Sequence, residues 1–303
     1  MEDMTTRIDR RERGGPSPDL VENSAISANA PFTSLPSIAV LAVMLALNGA
    51  VVAAAHLNSE AISAWSGYLS AAESRMRQEL ESPRGFLAMD FQKDAVDERR
   101  NVLAGAIIID KMQNADSQGR RMTVSSALVH HLRGEVLIPG VTVRELLADL
   151  QTHVPEQEDV IRSAILEREP DRMRVYLRLQ RQRFVTVVYN TEHTVTFTRF
   201  GNTRAASTSI ATRIAEVSDP DTPRERELPI GDDRGFLWRL NAYWRYEEVA
   251  GGVLAECESI SLSRDVPSVV RYFVGPLVES TARESMERTL TTLRSRFAQV
   301  AGR

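Results

Sequence analysis

The chain has 303 residues, 43% of them hydrophobic and 26% charged, which is typical of a globular protein with one large or two small domains. The formal net charge of -4 gives no basic footprint for a phosphate backbone, so we expect no nucleic-acid partner. Cys257 is the only cysteine, which excludes an intramolecular disulfide and a zinc site built from cysteines of this chain.

The N-terminal segment has the pattern of an export signal. Residues 1–37 are predicted to be a disordered tail, and residues 38–55 form a nearly unbroken apolar run. Ala53-Ala54-Ala55 fits a signal-peptidase site with cleavage before His56. The alternative is a retained membrane anchor, because about 18 apolar residues can just span a bilayer. Both interpretations predict that the rest of the chain is periplasmic, free or anchored in the membrane.

A helical extension is predicted over residues 57–100. An amphipathic helix over 59–81 has Asn58 or Ser59 as its N-cap, and Trp65 and Met76 lie on its apolar stripe. Pro83-Arg84-Gly85 ends this helix.

The next segment predicts a hairpin followed by two short helices. A strand begins at Gly105, and a turn at 115–119 leads into a second strand over 121–138. Thr142 and Glu145 have the spacing of a capping box, which predicts a helix with Val143 and Leu146 on its buried face. A second helix is predicted over 156–168, closed by Pro170.

The remaining chain alternates polar and apolar residues until its last segment. The alternation predicts strands over 174–180, 184–189, 194–200, 203–217 and 236–249, and Gly251-Gly252 predicts a hairpin turn into a strand over 253–263. Five apolar residues repeat at helical spacing near the C-terminus and predict a long helix: Met286, Leu290, Leu293, Phe297 and Val300.

This order of elements predicts an α+β fold over residues 101–303, in which a curved antiparallel sheet wraps around a long C-terminal helix. This is the helix-grip arrangement, which usually leaves an apolar cavity between sheet and helix.

The chain also resembles uncharacterised bacterial proteins with a START-like domain, of the polyketide cyclase and lipid-transport superfamily. The resemblance covers roughly residues 100–300 and is carried by Val129-His130-His131, 136–140, 176–179, 232–247, 256–267, Gly275-Pro276 and Arg283-Glu284-Ser285. It implies the helix-grip fold and, by analogy, an apolar-ligand cavity, whereas a fold alone does not determine function.

Aromatic residues of the strand over 236–249 are the candidate ligand wall. Trp238, Trp244 and Tyr246 alternate and are predicted to share one strand face, where they either contact a ligand or fill the core. His130 and His131 are adjacent on a strand, so their side chains point to opposite faces and cannot chelate one metal together. One of them is expected to face the cavity. We predict no metal site and no cofactor.

Three functions are compatible with this pattern. The first is an exported carrier of a lipid-like or polyketide-like molecule. In this interpretation residues 38–55 can associate the protein with the membrane. The second is a cyclase-like or hydrolase-like enzyme, which requires an acid-base residue such as His130 or His131 in the cavity. The third is a structural protein with a filled core, which predicts no cavity of about 300 Å³ or more.

Overall fold

The part of the chain that the structure describes begins just before the predicted extension. The computed structural model describes residues 55–115, 118–154, 159–182, 186–265 and 268–301. The tail 1–37 and all but the last residue of the apolar run 38–55 lie outside these residues, so both stay predictions. No helix within the described ranges is long and apolar enough to cross a membrane.

Short elements precede the main sheet. They are strand β1 (Ala55–His56), helix α1 (Ser59–Glu81), a 3-10 helix (Ala88–Phe91) and helix α2 (Ala95–Leu103). The predicted helix over 59–81 is confirmed, with Asn58 as its N-cap, because Asn58 Oδ1 accepts a hydrogen bond from Ala61 N at 2.8 Å. This bond satisfies one of the backbone N–H groups that a helix leaves unpaired at its start.

One antiparallel sheet of nine strands forms the centre of the fold. Its strands are β2 (Ile108–Lys111), β3 (Ala127–Pro139), β4 (Val160–Glu169), β5 (Arg172–Gln182), β6 (Thr186–Phe200), β7 (Arg204–Ser218), β8 (Arg226–Glu227), β10 (Arg239–Val249) and β11 (Gly252–Arg264). The order across the sheet is β2-β3-β11-β10-β7-β6-β5-β4, with β8 beside β7. Strand β9 (Asp232–Asp233) pairs separately with β1.

Two helices cover the inner face of this sheet. They are α3 (Val143–Leu150), which has the predicted capping box of Thr142 and Glu145, and α4 (Ser268–Ala301). Met286 and Leu290 of α4 pack with Val136, Ala255 and other inner-face residues in one apolar cluster. The predicted α+β helix-grip fold is therefore confirmed.

The outer face of the sheet is covered by the N-terminal helices. Trp65 of α1 packs with Ile260 and Leu262 of β11, and Leu254 of the same strand packs with Phe86 beside the 3-10 helix. Ala255 and Cys257 belong to the inner cluster, so alternate residues of β11 serve opposite layers, as the period of a strand requires. The described domain thus has three layers.

Three sequence predictions of secondary structure differ from the structure. The segment predicted as a helix over 156–168 forms the edge strand β4 in its described part, because its backbone pairs with β5 in a hairpin in which Pro170 and Asp171 connect the two strands. The predicted strands over 184–189 and 194–200 form one strand, β6. The strand expected to begin at residue 236 begins at Arg239.

Candidate functional site

A cavity lies between the inner face of the sheet and the two helices α3 and α4. Its volume is about 160 Å³. Most of the described side chains that line it are apolar, and four carry hydroxyl groups: Leu150, Val154, Met173, Val175, Leu177, Val195, Phe197, Ser207, Ser209, Trp244, Tyr246, Thr289 and Leu293. The cavity is therefore mostly apolar, with a few polar groups on its wall.

Strand β10 supplies the aromatic wall. The rings of Trp244 and Tyr246 are stacked, with their centroids 6.1 Å apart and their planes at 9°. The two residues share a strand face because they are two positions apart on one strand. This is the inner face, since both residues line the cavity. Tyr246 is buried, its hydroxyl lies 3.2 Å from Ser207 Oγ, and burial raises the pKa of Tyr246. Its hydroxyl is therefore neutral and acts by hydrogen bonding.

A buried histidine lies behind one of the cavity hydroxyls. His193 Nδ1 lies 3.3 Å from Ser209 Oγ, and His193 Nε2 lies 3.1 Å from Thr191 Oγ1. Burial lowers the pKa of His193 to about 4, so the imidazole is neutral at neutral pH. His193 was not among the predicted site residues. The sequence places His193 on the same strand face as Val195, because the two residues are two positions apart on an alternating strand. It does not show which of the two strand faces lines the cavity, so His193 could not be chosen.

The predicted site residues are divided among three places. Trp244 and Tyr246 line the cavity. Trp238 packs against α1 in the outer cluster, and its Nε1 donates to Asp233 Oδ1 at 3.1 Å. The prediction that Trp238 shares a face with Trp244 and Tyr246 was wrong, because Trp238 precedes the strand and belongs to the loop that Asp233 holds.

The two adjacent histidines do not line the cavity. His130 Nε2 lies 3.0 Å from Ser263 Oγ. His131 is buried between α1 and the sheet, where its Nδ1 lies 2.8 Å from the Tyr68 hydroxyl and its Nε2 lies 2.5 Å from Glu258 Oε1. The expectation that one of the two faces the cavity was therefore wrong for the described lining, and His131 links α1 to β11 instead.

An ionic cluster is buried on the outer face beside α2. Carboxylate oxygens of Glu98, Asp110 and Glu135 lie within 4.8 Å of one another, which is a spacing that could hold a metal ion. The guanidinium of Arg133 already stands among them, with Nε 2.5 Å from Glu135 Oε1 and one terminal nitrogen bonded to both Glu98 and Asp110. Because arginine supplies the positive charge there, we assign the cluster to the packing of α2 on the sheet.

The pKa of Glu135 is raised in this cluster. Its side chain is fully buried, and burial together with the nearby Glu256 raises the pKa of Glu135 to about 9 in spite of Arg133. Glu256 accepts from Ala88 N and Met89 N at 2.7 and 2.9 Å, and these bonds tie the 3-10 helix to β11. The neutral form of Glu135 reduces the repulsion among neighbouring carboxylates.

Comparison with known proteins gives similarities of fold. None of the protein-family models matches this sequence, and no curated protein matches it. The solved structures that are similar in fold include STAR-related lipid transfer proteins and an aromatase/cyclase. A STAR-related lipid transfer protein fragment from Xanthomonas axonopodis is 19% identical, with 62% of this chain and 98% of that chain covered and a TM-score of 0.41.

Two further solved structures are similar at lower identity. Human StAR-related lipid transfer protein 5 is 14% identical over 77% of this chain and 99% of that chain, with a TM-score of 0.39. The Zhui aromatase/cyclase from Streptomyces sp. R1128 is 12% identical over 57% of this chain and 95% of that chain, with a TM-score of 0.32. With TM-scores below 0.5, these similarities carry no argument about function, which must come from the site.

Proposed function

We propose that this domain binds a small hydrophobic molecule in the cavity between the sheet and α4. The observation that carries the proposal is the lining, in which a stacked pair, Trp244 and Tyr246, faces aliphatic side chains such as Val175 and Leu293. Apolar side chains that face an empty cavity lack van der Waals contacts on that side. A ligand that fills the cavity supplies these contacts.

The volume of the cavity limits the size of the ligand. About 160 Å³ is close to the roughly 150 Å³ of an engineered apolar cavity that binds benzene. A single substituted ring therefore fits, whereas a lipid-sized or polyketide-sized ligand exceeds this volume. The filled-core alternative predicts no cavity of about 300 Å³ or more, so this volume agrees with it too, and binding must be measured.

The lining favours binding over catalysis. Among the described side chains that line the cavity, the only titratable group is the Tyr246 hydroxyl, whose pKa burial raises. General acid-base catalysis at neutral pH requires a group that exchanges protons near that pH. His131, which we considered for this role, contacts Tyr68 and Glu258 on the other side of the sheet.

The test is a titration of the full-length protein with p-xylene, followed by tryptophan fluorescence and calorimetry. We expect saturable binding that Val175→Phe weakens at least tenfold, because the larger ring fills the cavity. Trp238→Phe is the matched control, since Trp238 lies outside the cavity, and it is expected to bind like the wild type. Absence of saturable binding to the wild-type protein would overturn the proposal and favour the filled core. Native mass spectrometry of protein purified without detergent then identifies a co-purifying ligand.

We further propose that the domain works outside the cytoplasm. The uncharged apolar run 38–55 supports this proposal. Cleavage before His56 would remove the pairing of Ala55 with Asp233 but keep the bond from Leu57 N to Gly231 O at 2.8 Å, and α1 would retain its cap Asn58.

Fractionation of a bacterial host that expresses the full chain, with N-terminal sequencing, tests this localisation. We expect either a mature chain that begins at His56 or an uncleaved chain in the membrane fraction. An intact chain in the cytoplasmic fraction would contradict export.

A further inference from the structure

The hydrogen bonds at the cavity show which hydroxyl groups donate a proton and which accept one. Thr191 Oγ1 lies 3.1 Å from the carbonyl oxygen of Leu177. A carbonyl oxygen only accepts, so the single hydroxyl proton of Thr191 is donated to Leu177. Thr191 Oγ1 is then an acceptor toward His193 Nε2, 3.1 Å away.

This arrangement determines the tautomer of His193. Because Nε2 donates its proton to Thr191, the neutral imidazole has no proton on Nδ1. Burial keeps the ring neutral by lowering the pKa of His193 to about 4. Nδ1 is therefore an acceptor, and Ser209, whose Oγ lies 3.3 Å away, donates its hydroxyl proton to it.

Ser209 consequently presents an acceptor oxygen to the cavity it lines. Its only hydroxyl proton points to His193, while lone pairs of Oγ remain for a ligand. A second lining hydroxyl has the same polarity, since Thr289 Oγ1 donates to the carbonyl oxygen of Ser285 at 2.9 Å. Two of the three serine and threonine hydroxyls at the cavity thus have their protons directed to protein acceptors.

We infer that the ligand is an uncharged hydrophobic molecule with a hydroxyl group that donates a hydrogen bond to Ser209 Oγ. This inference rests on the proposed function and names the ligand class for the same cavity. No arginine, lysine or histidine is among the described lining residues, so an anionic head group would be buried without a counter-charge. No described lining carboxylate is present for a cationic group either.

The experiment compares three ligands of similar size that differ in one group. p-Xylene carries a methyl group where p-cresol carries a hydroxyl and p-toluate a carboxylate. In a purely apolar cavity p-cresol binds more weakly than p-xylene, because its hydroxyl loses its hydrogen bonds to water. We expect the full-length wild-type protein to bind p-cresol at least as tightly as p-xylene and to bind p-toluate at least tenfold more weakly at pH 7.

Ser209→Ala tests the assigned acceptor. We expect it to weaken p-cresol binding roughly tenfold, the usual size of one hydrogen-bond contribution, while p-xylene binding stays within about twofold of the wild type. Retained p-xylene binding also shows that the variant is folded. Thr212→Ala is the matched control, because Thr212 lies on the same strand β7 outside the described lining, and its exposed hydroxyl donates to the carbonyl oxygen of Glu192. It is expected to leave the ratio of the two affinities nearly unchanged.

The possible failures are distinguishable. If neither p-xylene nor p-cresol binds, the proposed function fails, and with it this inference. If p-xylene binds but p-cresol binds more weakly to the wild type, or if Ser209→Ala leaves p-cresol binding unchanged, the inference alone is overturned. The comparison of p-cresol with p-xylene on the wild-type protein needs no variant. It therefore tests the preference for a hydroxyl group even if Ser209→Ala does not fold.

Discussion

Gly134 of β3 lies so close to Leu290 of α4 that a Cβ atom at position 134 would stand 2.7 Å from Leu290 Cδ1. The same atom would lie 2.9 Å from Met286 Cγ. The absence of a side chain at Gly134 therefore allows α4 to approach the sheet at β3.

Gly134→Ala is expected to destabilise the protein by about 1–3 kcal/mol, because the added methyl group overpacks the contact between β3 and α4. Chemical denaturation of the full chain measures the effect. The control is Gly67→Ala on the exposed side of α1, where an added Cβ meets nothing within 4 Å. That change is expected to stabilise by about 0.5–1 kcal/mol, because alanine is the better helix former. Equal effects of the two substitutions would contradict the assigned contact.

Glu135→Gln is expected to flatten the dependence of stability on pH. The pKa of Glu135 is raised in the folded state from 4.5 to about 9, so the folded state binds a proton that the unfolded state has lost between these values. The free energy of unfolding must therefore fall as pH rises through this window, by up to about 1.4 kcal/mol per pH unit for this group. Glutamine resembles the protonated carboxyl and removes this contribution.

Chemical denaturation at pH 6 and pH 8 measures how steeply the free energy of unfolding changes with pH. Glu145→Gln is the control, because hydrogen bonds from Thr142 lower the pKa of Glu145, so this group is ionised at both pH values. An unchanged slope in Glu135→Gln would show that the carboxylate at position 135 is already ionised at pH 6.

Tyr68→Phe is expected to destabilise the packing of α1 on the sheet by about 1–3 kcal/mol. It removes the hydroxyl that lies 2.8 Å from His131 Nδ1 and leaves a buried ring nitrogen without that partner. The control is Tyr176→Phe, which removes a half-buried hydroxyl 2.7 Å from Asn190 Oδ1. Denaturation should show a smaller loss for the control, because water can replace the missing bond there.

Thr142→Ala is expected to cost about 1 kcal/mol of stability, because Thr142 Oγ1 accepts from Glu145 N at the start of α3. Thr142→Ser keeps the hydroxyl and should lose much less. Hydrogen exchange of the amides of α3 gives a local measurement. Faster exchange confined to this helix in Thr142→Ala is the expected result, and unchanged exchange would rule out the cap.

Local patterns predicted most of the fold correctly. Asn58 and the capping box at Thr142 mark helix starts by hydrogen bonds that close within three residues, so the sequence alone reveals them. The hairpin of β10 and β11 is confirmed, although its two connecting residues are Ala250 and Gly251, because Gly252 already pairs with Val249. The segment over 156–168 was misjudged because the spacing of its apolar residues also suits a helix, while pairing with β5 makes its described part a strand.

The sequence by itself determined most of the helices and strands, the alternating patterns of the strands, and the aromatic pair Trp244 and Tyr246 on one strand, since these depend on neighbours along the chain. Only the tertiary structure decided which face of each strand lines the cavity. It placed His131 against α1, and it brought His193 to Ser209 from a neighbouring strand. The physical reason is that a strand has two equivalent faces, and the packing of α1 and α4 on opposite sides of the sheet distinguishes them.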